Sequence, residues 1–560
     1  MKYMPKFIIT LLLLFVSFIS VADLIFRPGH PITFDGHIHM TTMNQFAQSL
    51  YDKEFPVTWA NNFANYGHPL GIIAHQLPAY LGAIGILMGA STELSFIVLI
   101  FLSITVSSFL FYVFFRKFAD EKVSFTAAAL SVFFPYRALN IYVRGGLPEI
   151  MATIFLPVFL LGVWYTAEKK YQKAGVLLYI ATLGTALSHP MMLLVFSIPV
   201  GVYFLSTLTK KTLRKTLIVA VASVFLGLLS ASYYLIPLFS ELKYFYQSQA
   251  ISTFVDDSFL TVKQLYDPAW FYTLTHPGPR GNYIKLGTIE FGILLSSIVL
   301  LSTSYLLKNK TTLKKYVSEK HTRSLLLWTL TSTILVLLLL PISSFIYTLP
   351  FFESVQYPWR FLAGLQITIP LVFIFLIKSV KKLNNAYFLL FCIAVLLWYR
   401  VPEFYGKNYI TQPESDYYFN QANLHSTNFN TIWSANSQSY EQKETQAKII
   451  EGTGELTVIS EKNASRRYTT NSTQELRLLD YTFYFPGWSV YVDSQPISIE
   501  YQDSNYRGLI TYTVPAGSHE VIVVYEYTKT RLLAAVLSVL GISLAGLLYL
   551  FLSSKYLKSN

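Results

Sequence analysis

The chain has 560 residues, of which 53% are hydrophobic and only 13% are charged. A soluble globular protein carries about 25% charged residues, so this composition excludes a water-facing surface of the size such a chain would need. The formal net charge is +12, but the basic residues fall in short clusters between apolar runs, which excludes a nucleic-acid-binding patch and marks membrane topology instead.

Runs of about 20 apolar residues suffice to cross roughly 30 Å of hydrocarbon. The first, 7–26, follows a basic start with Lys2 and Lys6 and lacks a small-residue cleavage site, which predicts a retained signal anchor. Further spans are expected at 94–115, 123–139, 147–167, 174–188, 190–208, 217–238, 288–307, 324–346, 361–377, 386–400 and 532–551. Cys392, the single cysteine, lies in one of these runs and leaves no intrachain disulfide framework.

The segment 69–89, with His75, Gln76 and Pro78, is ambiguous by hydropathy. Charge decides it. If it does not cross, the clusters at Lys2/Lys6, Arg116/Lys117/Lys122, Lys169/Lys170/Lys173, Lys210/Lys211/Arg214/Lys215, 308–323, Lys378/Lys381/Lys382 and Lys555/Lys558 all face the cytoplasm. If it crosses, nearly all but the first face outward. The expectation is therefore a polytopic α-helical protein of the plasma membrane. It has about twelve spans, both termini in the cytoplasm, and 69–89 as an interfacial or re-entrant element. A multi-spanning domain covers 1–400, with a first outer loop at 27–92. An extracytoplasmic β-rich domain covers 401–531, and a last span with a short tail covers 532–560.

Residues 34–40 of the first loop read FDGHIHM. Met43, Phe46, Ala47 and Leu50 share one face of an amphipathic helix expected over 40–51. Asp35, just past the first span, is thereby held at the lipid–water boundary, where a carboxylate can act as a base on a substrate arriving from either phase. The competing reading makes Asp35 a cap for the following helix. His37 and His39, with Asp35 and with His68 or His75, also have the makings of a divalent-metal site.

The outer segment 401–531 is polar. From about Gly452 it alternates as strands do at Glu455, Glu475, Trp488, Leu509 and His519, with turn formers between them. That spacing predicts a small antiparallel sandwich, as a cap or an acceptor-binding module.

FDGHIHM, followed by FPVTWANNFANYGHPLG at 55–71, resembles the start of a family of bacterial multi-spanning proteins. That family is named for a 6-pyruvoyl-tetrahydropterin synthase-related membrane domain and is close to the YfhO-like family. YVRGGLPE at 142–149 and QYPWRFL at 356–362 resemble its inner motifs. YFPGWSVYVD at 484–493 and VPAGSH at 514–519 resemble the YfhO-like outer domain. Such a chain is similar in layout to GT-C glycosyltransferases. The resemblance implies an outer-face transfer from a polyprenyl-phosphate-linked sugar to an envelope glycan or polymer, with inversion and with Asp35 as general base. Arg144, Arg360 and Arg137 would then meet the leaving phosphate, which arginine pairs bidentately; interface snorkelling is the competing reading for each. Glu149 could pair Arg144 or reach the site, with His37, His39, Asp256 and Asp257 supporting and Asp267 and His276 as further candidates. Two other classes fit the same layout. One is a flippase for lipid-linked glycans, against which the absence of an internal sequence repeat weighs. The other is a non-catalytic envelope scaffold. Pterin chemistry is disfavoured, because the pterin synthases are soluble.

Overall fold

The computed structural model describes residues 5–63, 66–245, 255, 258–267, 284–306, 319–380, 383–418, 431–434 and 445–553. Among them, nine helices are long and apolar enough to cross a membrane. Three of the expected spans are not in that set. The run 174–188 is a helix over Tyr171–Ser188 of lower apolarity, and 190–208 is a 17-residue helix, Met191–Thr207, with Pro199 inside it. The third, 123–139, is broken, and the break matters for the site.

Helix α1 (Lys6–Phe26) is followed by a two-residue strand, β1 (His30–Pro31), which pairs antiparallel with β2 (Tyr409–Ile410) beyond the Ala386–Arg400 helix. Helix α2 (Gly36–Tyr51) begins four residues earlier than the amphipathic pattern suggested. Helices α3 (Leu70–Ile73) and α4 (Gln76–Leu87) form the ambiguous segment. With 12 residues, α4 rises only about 18 Å, too little to cross. Instead it packs on α2, so closely that a Cβ at Gly82 would lie 2.4 Å from the Met43 sulfur.

Helix α5 (Thr92–Phe115) is a full span, and α6 (Glu121–Val132) stops short. Phe134 precedes Pro135 and takes an extended conformation, as the proline ring demands of its neighbour. Helix α7 (Pro135–Ala138) restarts the chain and widens into a π-helical turn, Leu139–Arg144. Gly145, at φ +67°, ends that turn, and α8 (Leu147–Ala152) begins. A Cβ on Gly145 would fall 2.6 Å from the Gly36 Cα, so two glycines let the first loop lie directly on the π-turn.

The β-rich region is a two-sheet antiparallel packing of β3 (Ala447–Glu451), β4 (Glu455–Glu461), β5 (Ser465–Ser472), β6 (Leu476–Phe483), β7 (Trp488–Val492), β8 (Gln495–Ile497), β9 (Leu509–Val514) and β10 (Gly517–Tyr525). One sheet runs β4-β5-β10-β7-β8 and the other β3-β6-β9. Four residues after β10, the Lys529–Ser553 helix begins. Strand alternation located five of these strands; β3, β5 and β8 are additional.

The sandwich core includes a residue from far outside it. Trp59 of the first loop is fully buried there, edge-on to Trp488 at 5.1 Å and 5.1 Å from Tyr525. Beside it, Arg466 is buried against Asp480 at 3.1 Å, lies 4.8 Å over the Trp488 ring and donates to the Asn61 side chain. Asn61 also donates to Gln446 Oε1 at 2.8 Å and, through its backbone, to Asn463 Oδ1 at 3.0 Å. Thermal unfolding of the detergent-solubilised protein should therefore show Trp59→Ala destabilised by about 3–5 kcal/mol, the usual range for emptying a buried aromatic site; a loss under about 1 kcal/mol would show the loop to be merely resting on the sandwich.

Candidate functional site

Asp35 occupies the N-cap position of α2, yet its carboxylate accepts no bond from the first helical turn. Its backbone is fixed from the other side. The Asp35 N–H donates to the Arg144 carbonyl at 2.7 Å and the Phe34 N–H to the Val143 carbonyl at 3.1 Å. The carboxylate is thus turned toward Arg144, whose Nη2 donates to Oδ2 at 3.2 Å. Arg144 is 11% exposed at its side chain and Asp35 38%, so the acid is the reachable member of the pair. Burial pushes the Asp35 carboxyl above its ordinary value, and Arg144 only partly opposes that.

Behind Arg144 stands Glu149. Pro148 opens α8, which places Glu149 in its first turn, where a helix N-terminus favours an acid. Glu149 is 1% exposed. One carboxylate oxygen meets Arg144 Nη1 at 2.8 Å and accepts from the Tyr136 hydroxyl. The other meets Arg360 Nε at 2.9 Å and lies 3.6 Å from His189 Nε2. Arg360 is completed by the Val355 carbonyl at 2.7 Å and Gln356 Oε1 at 2.9 Å. Aromatic rings cover both guanidiniums: Trp359 lies 4.8 Å from Arg144, Tyr357 lies 5.0 Å from Arg360, and the two rings stack on each other. Two carboxylates and two guanidiniums therefore form one charge-balanced cluster.

The other residues nominated from sequence are placed elsewhere. Arg137 is buried but turned to the Ser131 carbonyl at 3.0 Å and the Ser107 hydroxyl at 2.9 Å, away from Asp35. His37 faces Tyr417 at 5.6 Å, whereas His39 faces His75 at 6.2 Å. Residues two apart on a helix point in different directions, and α2 already begins at Gly36, so the His-x-His pair cannot chelate. Among the described residues no group of three His, Cys, Asp or Glu side chains is arranged to hold a metal. Asp267 lies 3.9 Å from Lys263, and His68 packs on Phe63 and Phe245. Asp256, Asp257 and His276 lie outside the described residues.

Sequence reasoning did not place three participants. His75 was nominated only as a metal ligand, and His189 was not nominated. The two rings stack at 4.6 Å and 20° beside Glu149. Tyr136 carried no signal at all. Asp35 can accept a proton, and doing so leaves the edge of Arg144 that it holds uncompensated.

The family described as the 6-pyruvoyl-tetrahydropterin synthase related domain, a membrane-protein family, matches residues 76–405. Arg144, Glu149, His189 and Arg360 fall inside that match, and Asp35 precedes it. Solved structures of the Archaeoglobus fulgidus oligosaccharyltransferase are also similar. One, tethered to an acceptor peptide containing the NVT sequon, aligns at 13% identity and a TM-score of 0.38 over 76% of this chain and 61% of that one. Another, with an inhibitory peptide and a dolichol-phosphate, aligns at 13% identity and 0.37 over 73% and 57%. A third, with Zn and sulfate, aligns at 14% identity and 0.32 over 72% and 54%. The chain spans less than two thirds of the length of each. No curated protein matches. With more than half of its length matched, the chain belongs to the 6-pyruvoyl-tetrahydropterin synthase related family of membrane proteins.

Proposed function

We propose that the protein is a membrane glycosyltransferase that moves a sugar from a polyprenyl-phosphate-linked donor to a cell-envelope acceptor on the outer face, with Asp35 as general base. One observation carries this reading. A half-exposed carboxylate is left off the helix cap it could serve and is aimed at an arginine that shares a buried acid with a second arginine. Asp35 takes the proton of an acceptor hydroxyl, whose oxygen forms a bond to the anomeric carbon. The bond from that carbon to the phosphate oxygen breaks on the opposite face, so the configuration inverts. The leaving phosphate keeps the electron pair, and in this reading Arg144 and Arg360 stabilise its charge. A base with a raised pKa holds the proton more firmly as the attack proceeds. The charge clusters put both termini in the cytoplasm, and with them Asp35 and the β-sandwich on the outer side of the plasma membrane.

Mass spectrometry of wall and lipid-anchored polymers provides the test, on cells carrying the wild-type protein, Asp35→Asn at matched membrane levels, or no protein. Asp35→Asn should lose the same sugar decoration as the deletion. Full restoration by Asp35→Asn would overturn the base assignment and leave a flippase or scaffold as the account. The pH profile supplies a second check. Asp35 works ionised and its pKa is raised, so kcat/KM should fall as pH drops through a value above the usual 3.8 of an aspartate. A profile flat down to that value would count against Asp35 as the base.

A further inference from the structure

One helical turn beyond Asp35, residues of α2, α3, α4 and α8 line a partly open cavity of about 100 Å³. Much of its wall is apolar, with Met43, Ala79 and Leu147 among the lining, and its polar atoms come from His39, Thr42 and His75. It has room for a substituent of a few heavy atoms.

The polar side has a defined character. Burial first, then Arg144, pushes His39 down to about 3; burial first, then His39 and Arg360, pushes His75 down to about 3. Both imidazoles are therefore uncharged at neutral pH, each with one N–H and one acceptor nitrogen. The buried His75 Nδ1 has no hydrogen-bond partner among the described residues, a state that favours the arrival of one. The Thr42 hydroxyl already donates to the Ile38 carbonyl at 2.7 Å, so it has lone pairs left to accept with. An anion would meet no cationic wall here and a cation no carboxylate. A neutral group with one donor, one acceptor and a methyl matches the wall on every side.

We propose that this cavity receives the 2-acetamido group of the transferred sugar, so that the donor is a polyprenyl-phosphate-linked N-acetylhexosamine. The inference rests on the transferase reading, which puts the anomeric carbon at Asp35. The acetamido-bearing carbon is bonded directly to that carbon, and Asp35 and His39 stand about 6 Å apart along the helix axis. The methyl lies toward Ala79, and the amide meets the imidazoles and Thr42.

The test uses the full-length protein in proteoliposomes with two radiolabelled donors of equal chain length, polyprenyl-phosphate-N-acetylglucosamine and polyprenyl-phosphate-glucose. Wild type should hold the first about 100-fold tighter, as a site built around a substrate's polar group and methyl does. Ala79→Leu fills the cavity and should erase most of that difference; Ala79→Val, a smaller intrusion, should erase part of it and serves if the leucine variant does not fold. Equal affinities that ignore both variants, or tighter binding of the glucose donor, would overturn the acetamido pocket and leave the transferase reading standing. Binding of neither donor would overturn both.

Discussion

Glu149 is the constraint on which the rest of the site depends. A single carboxylate, 1% exposed, holds Arg144 from the π-turn and Arg360 from a segment 211 residues further along the chain. Burying an ion costs several kcal/mol, and the expense is tolerable only where hydrogen bonds and opposite charges satisfy it. Here two guanidiniums and the Tyr136 hydroxyl do so, with His189 alongside. Without Glu149 the two cations would face each other across a low-dielectric gap. Glu149 never touches Asp35, yet it decides where Asp35 points: one edge of Arg144 is taken by Glu149 and by Asn140 at 2.8 Å, and the other edge is left for Asp35.

That arrangement needs the first loop close to the helices, and two distant contacts supply the closeness. At the start of α2, Gly36 lies on Gly145 with no side chain between them, and the backbone of Phe34 and Asp35 pairs with the last carbonyls of the π-turn. Further along, Trp59 is held in the sandwich core, and Asn61 joins the polar group of Arg466, Asp480 and Gln446. The loop is therefore fastened at one end to membrane helices and at the other to the β-sheets. The sandwich belongs to the architecture of the site as well as to the surface, because the loop that presents Asp35 is packed into it.

Nine of the twelve expected spans and five strands were legible because each obeys a short-range rule, an apolar run or an alternation. Strand β5 was not. Its sequence, SRRYTTNS, looks like a loop because the inward-facing Arg466 is charged, and only the distant Asp480 makes that position tolerable. Asp35, Arg144, Glu149 and Arg360 could be nominated from their motifs. Their contacts could not, since these depend on the π-turn and on a backbone pairing between residues 35 and 144 that no periodicity encodes. The directions of His37 and His39 were not legible, because the amphipathic pattern starts at Met40, whereas α2 begins at Gly36 and turns the two rings apart. The pairing of His75 with His189 was out of reach, because stacking of two rings from separate segments leaves no trace in either.

The balance of charge in the cluster bears on how it would serve a transfer reaction. With Asp35 and Glu149 ionised, Arg144 and Arg360 are fully compensated, and an arriving phosphate adds negative charge to a neutral set. The half-exposed Asp35 is the member that can yield, because Glu149 is enclosed on all sides and Asp35 is held by one edge of Arg144. In the proposed reaction Asp35 gains a proton as the phosphate gains a negative charge. The acid's hold on Arg144 weakens at the moment the leaving group needs that guanidinium, and the net charge of the enclosed cluster stays constant. A buried site is stabilised by that exchange, since in a medium of low dielectric an uncompensated charge is the expensive species. The same guanidinium that orients the base before the reaction is thereby available to the leaving group after it.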